Sequence, residues 1–231
     1  NFPRSCFARF CQVQRAVDLV LRALAPVMPE KITAGNSAHI HFIAYSGFDD
    51  QVGEYWVYLE VEEGSYGGRP GNDGMDSVDC LIANTRNNPI EELEWRFPMR
   101  TERYELRDEP CAAGKWRGGI GIVRVNRLLV DTMVTCEGER HESDEPWGIF
   151  GGHDGINASM LHNEGQSDEK PWPSKFTGYQ LKGGDTITIS VPSSGGYGDP
   201  LEREPARVLS DVLDDFTTVE LARESYGVVI D

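Results

Sequence analysis

Residues Gly183–Pro200 read GGDTITISVPSSGGYGDP. Ile187, Ile189 and Val191 recur every second position, which predicts a half-buried strand with one apolar face. The strand runs into Pro192 and a glycine turn. Gly195, Gly196 and Gly198 permit positive φ and close approach of the backbone to another surface. Pro200 then introduces a helical pattern. Val208, Leu209, Val212, Leu213 and Phe216 fall at helical spacing, and Pro205 stands near the start, where proline is tolerated. Residues 218–224 read as a second short helix and residues 226–230 as a closing strand.

Upstream, Val13, Val17, Val20, Leu21 and Leu24 predict a helix over residues 11–24 with one buried stripe. Pro26 and Pro29 end it. Residues 39–45, 54–61, 77–83, 95–106 and 120–134 read as strands between glycine and asparagine turns. In the second of these, Tyr55, Val57, Leu59 and Val61 share one face while Trp56 and Tyr58 occupy the other, so both faces are expected to be covered. Residues 137–173 are polar and rich in Gly, Asp, Glu and His, and read as long loops that are functional or line an interface. No repeat, low-complexity tract or dividing linker is evident. The expectation is one α+β domain over residues 1–231, with a β-rich centre, an N-terminal helix and C-terminal helices.

The bulk numbers narrow the function. The 231 residues are enough to bury a real core. The net charge of −16, from 22 basic and 38 acidic side chains, argues against nucleic acid and anionic membrane as partners, since both need basic surface. No apolar run approaches the roughly 18–20 residues needed to span a bilayer. Cys6, Cys11, Cys80, Cys111 and Cys136 are odd in number and form no C-x-x-C pair, which disfavours a structural zinc or thioredoxin-like site and suits a reducing cytoplasm. The start, Asn1-Phe2-Pro3-Arg4, lacks an initiator Met and a long apolar signal region, and is expected to be processed, trimmed or incompletely known.

Several constellations invite chemistry. His39 and His41 lie two apart on a strand, an acceptable spacing for metal ligands, but no third ligand follows at a familiar spacing, so a pair of half-buried polar residues is the preferred reading. His153-Asp154, with His162 nearby, is compatible with acid–base work, although Asp supporting a turn is preferred. Asp73, Asp76, Asp79, Glu91, Glu92 and Glu94 cluster around residues 84–88. Paired carboxylates serve acid–base catalysis or hard cations. With Arg86, Arg96 and Arg100 close in sequence, salt bridges that fix a loop are the preferred account. Gly64-Ser65-Tyr66-Gly67-Gly68-Arg69 and Gly114-Lys115-Trp116-Arg117-Gly118-Gly119 are neither a Walker A loop nor G-x-G-x-x-G before a helix. They read as bulges or sharp bends, and nucleotide binding by this chain alone is not expected. No G-x-S-x-G elbow occurs. A histidine meeting Cys80 or Cys111 in space stays open.

The ordered set of motifs resembles the hydantoinase B family, which includes the corresponding part of 5-oxoprolinases and the alpha-type subunits of acetone and acetophenone carboxylases. The matching stretches are Gly67-Gly68-Arg69-Pro70-Gly71-Asn72-Asp73-Gly74, then Asn84-Thr85-Arg86-Asn87-Asn88-Pro89-Ile90-Glu91 with Glu94, Pro98 and Arg100. Tyr104-Glu105-Leu106-Arg107, Arg117-Gly118-Gly119-Ile120-Gly121, Arg124, Gly148, Gly151-Gly152 and Gly195-Gly196-Tyr197-Gly198-Asp199-Pro200 follow in order. Two departures stand out. Pro110-Cys111-Ala112-Ala113-Gly114 replaces a Ser-Gly-Gly-x-Gly stretch, and Ser193-Ser194 replace glycines. Alanine and serine take positive φ less cheaply, so local geometry is expected to differ there.

The resemblance implies the C-terminal part of a hydantoinase B-like subunit in an ATP-dependent complex. Such complexes hydrolyse cyclic amides (hydantoin, oxoproline or a lactam) or carboxylate a ketone. It implies no cofactor and no metal on this chain alone. ATP is expected on a hydantoinase A-like subunit, and a divalent metal in the N-terminal part of the hydantoinase B-like subunit. The partners implied are those two and a small-molecule substrate. Asp73, Asn84, Glu91, Glu94 and Arg117 are the candidates for lining the substrate cavity, with no chemical step given to any. A non-catalytic structural subunit is the competing reading. Alone, the chain is expected to be inactive and to expose an apolar patch where its missing part docks.

Overall fold

The structure, a computed structural model, describes residues 10–79, 81–83, 85–141 and 145–230. The chain begins with α1 (Phe10–Leu24) and continues through β1 (Ile40–Asp49), β2 (Glu54–Glu63), α2 (Ile90–Arg96), β3 (Met99–Leu106), β4 (Ile122–Leu128) and β5 (Thr132–Glu137). Strands β6 (Ser159–His162), β7 (Lys170–Pro171), β8 (Lys175–Leu181) and β9 (Thr186–Ser190) follow, then α3 (Pro205–Leu213) and α4 (Val219–Tyr226). The architecture is α+β. One sheet has the order β2-β1-β5-β8 and the other β3-β4-β9-β6-β7. Neighbouring strands are antiparallel throughout.

The two sheets face each other across one core. Ile43, Tyr45, Trp56, Tyr58, Val134 and Phe176 from the first meet Met99, Ile122, Leu128, Met160, Ile187 and Ile189 from the second. Strand β9 lies between β4 and β6, and it is buried on both sides rather than on one. Thr186 and Thr188 are buried like the isoleucines. Their hydroxyls have acceptors, since Thr186 Oγ1 donates to Asn163 Oδ1 at 3.5 Å and Thr188 Oγ1 to Glu164 at 2.9 Å. A central strand loses water from both faces, so the threonine hydroxyls need local acceptors.

Five other expectations are corrected. Among the described residues of 77–83 there is no strand. Residues 95–106 divide into the end of α2 and β3, and residues 120–134 into β4 and β5 with a turn between. The polar stretch 137–173 contains β6 and β7. Residues 227–230 form no strand, because Gly227 at φ +67° caps α4 and turns the chain.

The helix α1 also turns an unexpected side inward. Cys11, Gln14, Asp18 and, just past its end, Ala25 are buried, whereas Val13, Val20 and Leu24 are exposed. The inward face is chosen by Asp18. Its Oδ1 accepts from Asn36 N–H at 3.1 Å, and its Oδ2 accepts from Trp147 Nε1 at 2.8 Å and pairs with Arg140. The strand β2 likewise has one covered face, not two. Trp56 and Tyr58 are buried, but Tyr55, Val57 and Leu59 are exposed.

The glycine motifs form the opposite of an open cradle. Loops around residues 34–37, 64–76, 112–121, 147–156 and 192–198 interlace through backbone hydrogen bonds. Ala34 N–H donates to Gly68 O at 2.7 Å, Gly68 N–H to Gly195 O at 3.0 Å, and Gly195 N–H to Gly35 O at 2.9 Å. A Cβ on Gly118 would stand 1.9 Å from Ser194 O, and one on Gly196 2.1 Å from Ala113 O. Backbone approaches this close admit glycine alone. The two departures fit without strain, because Ala112, Ala113, Ser193 and Ser194 are absent from the positive-φ residues. Ser193 Oγ accepts from Gly121 N–H at 3.1 Å, and Ser194 Oγ donates to Ser65 O at 2.8 Å.

Candidate functional site

Strand β2 brings Glu60 and Glu62 to the same face as Trp56 and Tyr58, since side chains two apart in a strand point the same way. Both glutamates are buried, and so is Arg124 on β4. Arg124 contacts Glu60 at 2.6 Å and Glu62 at 3.1 Å. Glu60 also accepts from Tyr58 Oη at 3.0 Å and Asn126 Nδ2 at 2.8 Å. Two carboxyl groups thus share one guanidinium. Burial, then the neighbouring Glu60, pushes the Glu62 carboxyl well above the usual range, with Arg124 opposing. Carboxylates this close favour keeping one proton between them.

This group floors two adjoining cavities. One, of about 240 Å³, is lined by Glu62, Ser77, Asp79, Asn87 and Tyr104 among others. The second, of about 200 Å³, is lined by Glu60, Arg124 and residues 85–88 among others. Both lie below the roughly 300–1,000 Å³ of drug-sized sites, so a ligand here is small. The roof is the Thr85-Arg86-Asn87-Asn88 stretch, whose Asn87 side chain bonds the Tyr104 hydroxyl. Tyr104 in turn lies beneath the Arg124 guanidinium, 5.0 Å from its ring centre. Arg124 Nε is buried without a hydrogen-bond acceptor, a donor left over after the glutamates are served.

The residues singled out from sequence fall in three places. Asp73 and Arg117 are together, but in a bracing network and away from these cavities. Asp73 accepts from Arg117 N–H at 2.9 Å, from Arg203 at 2.7 and 3.0 Å, and from Arg207 at 2.7 Å. Burial works against its charge, yet the Arg203 fork holds the carboxyl below the ordinary range. Arg117 is forked onto Asp76 at 2.9 and 3.1 Å and lies over Phe216. Glu91 is exposed in the first turn of α2, and Glu94 accepts from Thr101 N–H at 3.0 Å. Asn84 lies outside the described residues, as do Cys6 and Cys80. The structure therefore joins residues 85–88 to Glu60, Glu62 and Arg124. The two glutamates escape a strand reading that ends at Val61. The signal for them is the continued alternation Trp56, Tyr58, Glu60, Glu62, which places two acids on a core face.

The remaining constellations are accounted for. His39 Nε2 lies 2.8 Å from His41 Nδ1, and His41 Nε2 lies 2.7 Å from His141 Nε2. With Glu139 N–H donating to His39 Nδ1 at 3.3 Å, the imidazoles form a chain. Both nitrogens of His41 are used, so the three rings do not converge on one ion. Among the described residues no group of three His, Cys, Asp or Glu side chains is arranged to hold a metal. Asp154 accepts from Gly148 N–H at 2.6 Å, which is turn chemistry. Cys111 and His153 line one cavity of about 230 Å³ with Tyr226. Burial pushes the Cys111 thiol up to about 12 against the pull of Arg117, so it is no activated nucleophile.

The same chain of motifs is found in known proteins. A family model described as Hydantoinase B/oxoprolinase matches residues 1–200. The chain belongs to the hydantoinase B/oxoprolinase family. It is 46% identical over 230 residues to the B subunit of a putative D-/L-hydantoinase from Pseudomonas sp. (strain NS671), covering 99% of this chain and 38% of the relative. It is 29% identical to the beta subunit of the caprolactamase of Pseudomonas jessenii, covering 95% of this chain and 39% of that relative. The crystal structure of the ATP-dependent caprolactamase from the same organism superposes with a TM-score of 0.75 at 25% identity, covering 91% of this chain and 38% of that one. Nucleotide-free acetone carboxylase superposes with a TM-score of 0.70 over 95% of this chain and 33% of that one at 18% identity, a likeness of fold. The chain thus spans a little over a third of the length of these hydantoinase and caprolactamase relatives. Both of these relatives are named as subunits. No helix among the described residues is long and apolar enough to cross a membrane.

Proposed function

We propose that this chain is the C-terminal part of a hydantoinase B-like subunit in an ATP-dependent enzyme that hydrolyses cyclic amides. The observation that carries the reading is the family match over residues 1–200, with 46% identity to a hydantoinase subunit. Hydrolysis is preferred to ketone carboxylation because the hydantoinase and caprolactamase relatives carry the sequence identity, whereas the acetone carboxylase likeness is one of fold. The Glu60–Glu62 pair supports it. Burial and the neighbouring Glu60 hold the Glu62 carboxyl well above the usual range, which favours a protonated side chain able to donate to an amide carbonyl.

ATP and a divalent metal belong elsewhere in that assembly, on a hydantoinase A-like subunit and on the N-terminal part of the B-like subunit. The interlacing of this chain's glycine loops through one another's backbones supports placing the nucleotide elsewhere. The complex acts on a small molecule in the cytoplasm. The test is to assay hydantoin, 5-oxoproline and caprolactam with the chain alone and after co-expression with a hydantoinase A-like subunit and the missing B-like part. ATP-dependent ring opening by the full assembly only is expected. Activity of the chain alone, or none in the assembly, overturns the reading.

A further inference from the structure

The sheet β2-β1-β5-β8 has an outer face that is left largely open among the described residues. Alternation along β2 sends Tyr55, Val57 and Leu59 outward, and they are 85%, 69% and 47% exposed. Across the ladder, Phe48 pairs with Tyr55 and Ala44 with Leu59. Met133 on β5 is also exposed. One end of the face is already roofed, since Phe10 of α1 stacks on Phe42 at 5.7 Å and packs with Val61. A strand apolar on both faces belongs in the middle of a layered structure.

We infer that this face is the seat of a third layer, supplied by the part of a hydantoinase B-type subunit that lies outside the stretch this chain matches. This rests on the reading of the chain as part of such a subunit. Two observations select that occupant. The chain covers 38% of the Pseudomonas sp. relative and 39% of the caprolactamase relative, so most of each polypeptide is available to supply the layer. A second copy is disfavoured by charge, because each copy brings −16. Asp49 and Glu54, paired at the β1–β2 tip, would also meet like charges at the rim. The occupant is therefore an apolar segment from the rest of the subunit, packed on Val57 and Leu59 at its centre.

The test co-expresses this chain with the residues of the Pseudomonas sp. relative that lie outside the matched region. Co-purification and slowed amide exchange over residues 54–61 are expected. The double variant Val57→Glu, Leu59→Glu should weaken association by about tenfold or more, while Val219→Glu on α4, also exposed, should leave it unchanged. Three outcomes overturn the inference: no co-purification, association indifferent to the double variant, or a homodimer of the chain cross-linked through Val57. Since the readouts are binding and exchange, a docked assembly without cyclic-amide hydrolysis would sink only the functional reading.

Discussion

Glu62 and Asp73 are both partly or wholly withdrawn from water beside arginine, yet their protons respond in opposite directions. Glu62 has a second carboxyl as neighbour and is raised above 4.5, with burial as the first cause. A raised folded value favours the protonated form, so its contribution to stability is complete at low pH and is lost as pH rises from about 4.5 through the folded value. Glu62→Gln keeps the shape and removes that titration. Urea midpoints at several pH values should show the wild type losing stability on the alkaline side and the variant losing less. Asp73 is depressed below 3.8, so its contribution is present above that pH and disappears on acidification. Arg124→Met leaves the buried glutamates without their guanidinium and should cost about 3–5 kcal/mol, read by the same denaturation.

The histidine chain makes a separate pH prediction. His39 and His41 are held well below 6.5, first by burial and then by neighbouring imidazoles. Arg140 and Arg15 add to the effect on His39. The unfolded chain takes up protons near 6.5 that the folded one refuses, so stability should fall as pH drops below that value. His41→Gln should lessen the fall between about pH 7 and 5, and an unchanged slope would count against the buried chain.

At the level of elements, α1 tests which side faces in. Val20→Glu should shift stability by no more than about 0.5 kcal/mol, as for exposed positions. Asp18→Ala, which removes the acceptor of Asn36 N–H and Trp147 Nε1 and the carboxylate beside buried Arg140, should cost about 3–5 kcal/mol. The reverse ranking, measured by thermal denaturation, would restore the apolar stripe as the buried one. This helix also shows where local sequence stops being informative. Its existence is legible from the spacing of Val13, Val17, Val20 and Leu24, and so are the alternating strands β1, β2 and β9 and the helices α3 and α4. Its orientation depends on Trp147 and Arg140, far along the chain, which convert a charged residue into the inward anchor. The same holds for β2, whose outer residues look core-like in isolation. In the candidate site, the 84–91 motif stands out in the sequence, and its residues 85–88 form the roof. Its floor needs the register that sets Glu60 and Glu62 beside Arg124. Asp73 and Arg117 have the chemistry of a cavity lining, but other arginines and carboxylates occupy their polar groups.

At the scale of the whole molecule, the C-terminal helices are held to the glycine loops by a network of arginines and carboxylates and by packing on Ala113. Arg203 joins three of its members, reaching Asp73, Asp211 and the Lys115 carbonyl. Arg203→Ala should release the segment after Pro200 to limited proteolysis while the two sheets stay protected. Gly118→Ala should do wider damage, at about 1–3 kcal/mol or more, because the new methyl meets Ser194 O and has no flexible atom to displace.

The interlaced loops also bear on heredity. Every single-base change that recodes a glycine codon introduces a side chain or stops translation. At positions such as Gly118 and Gly196 the codon therefore has no neutral replacement, and drift is confined to its silent third base. In a random mutant library these codons should be among the first to lose diversity under selection for soluble protein.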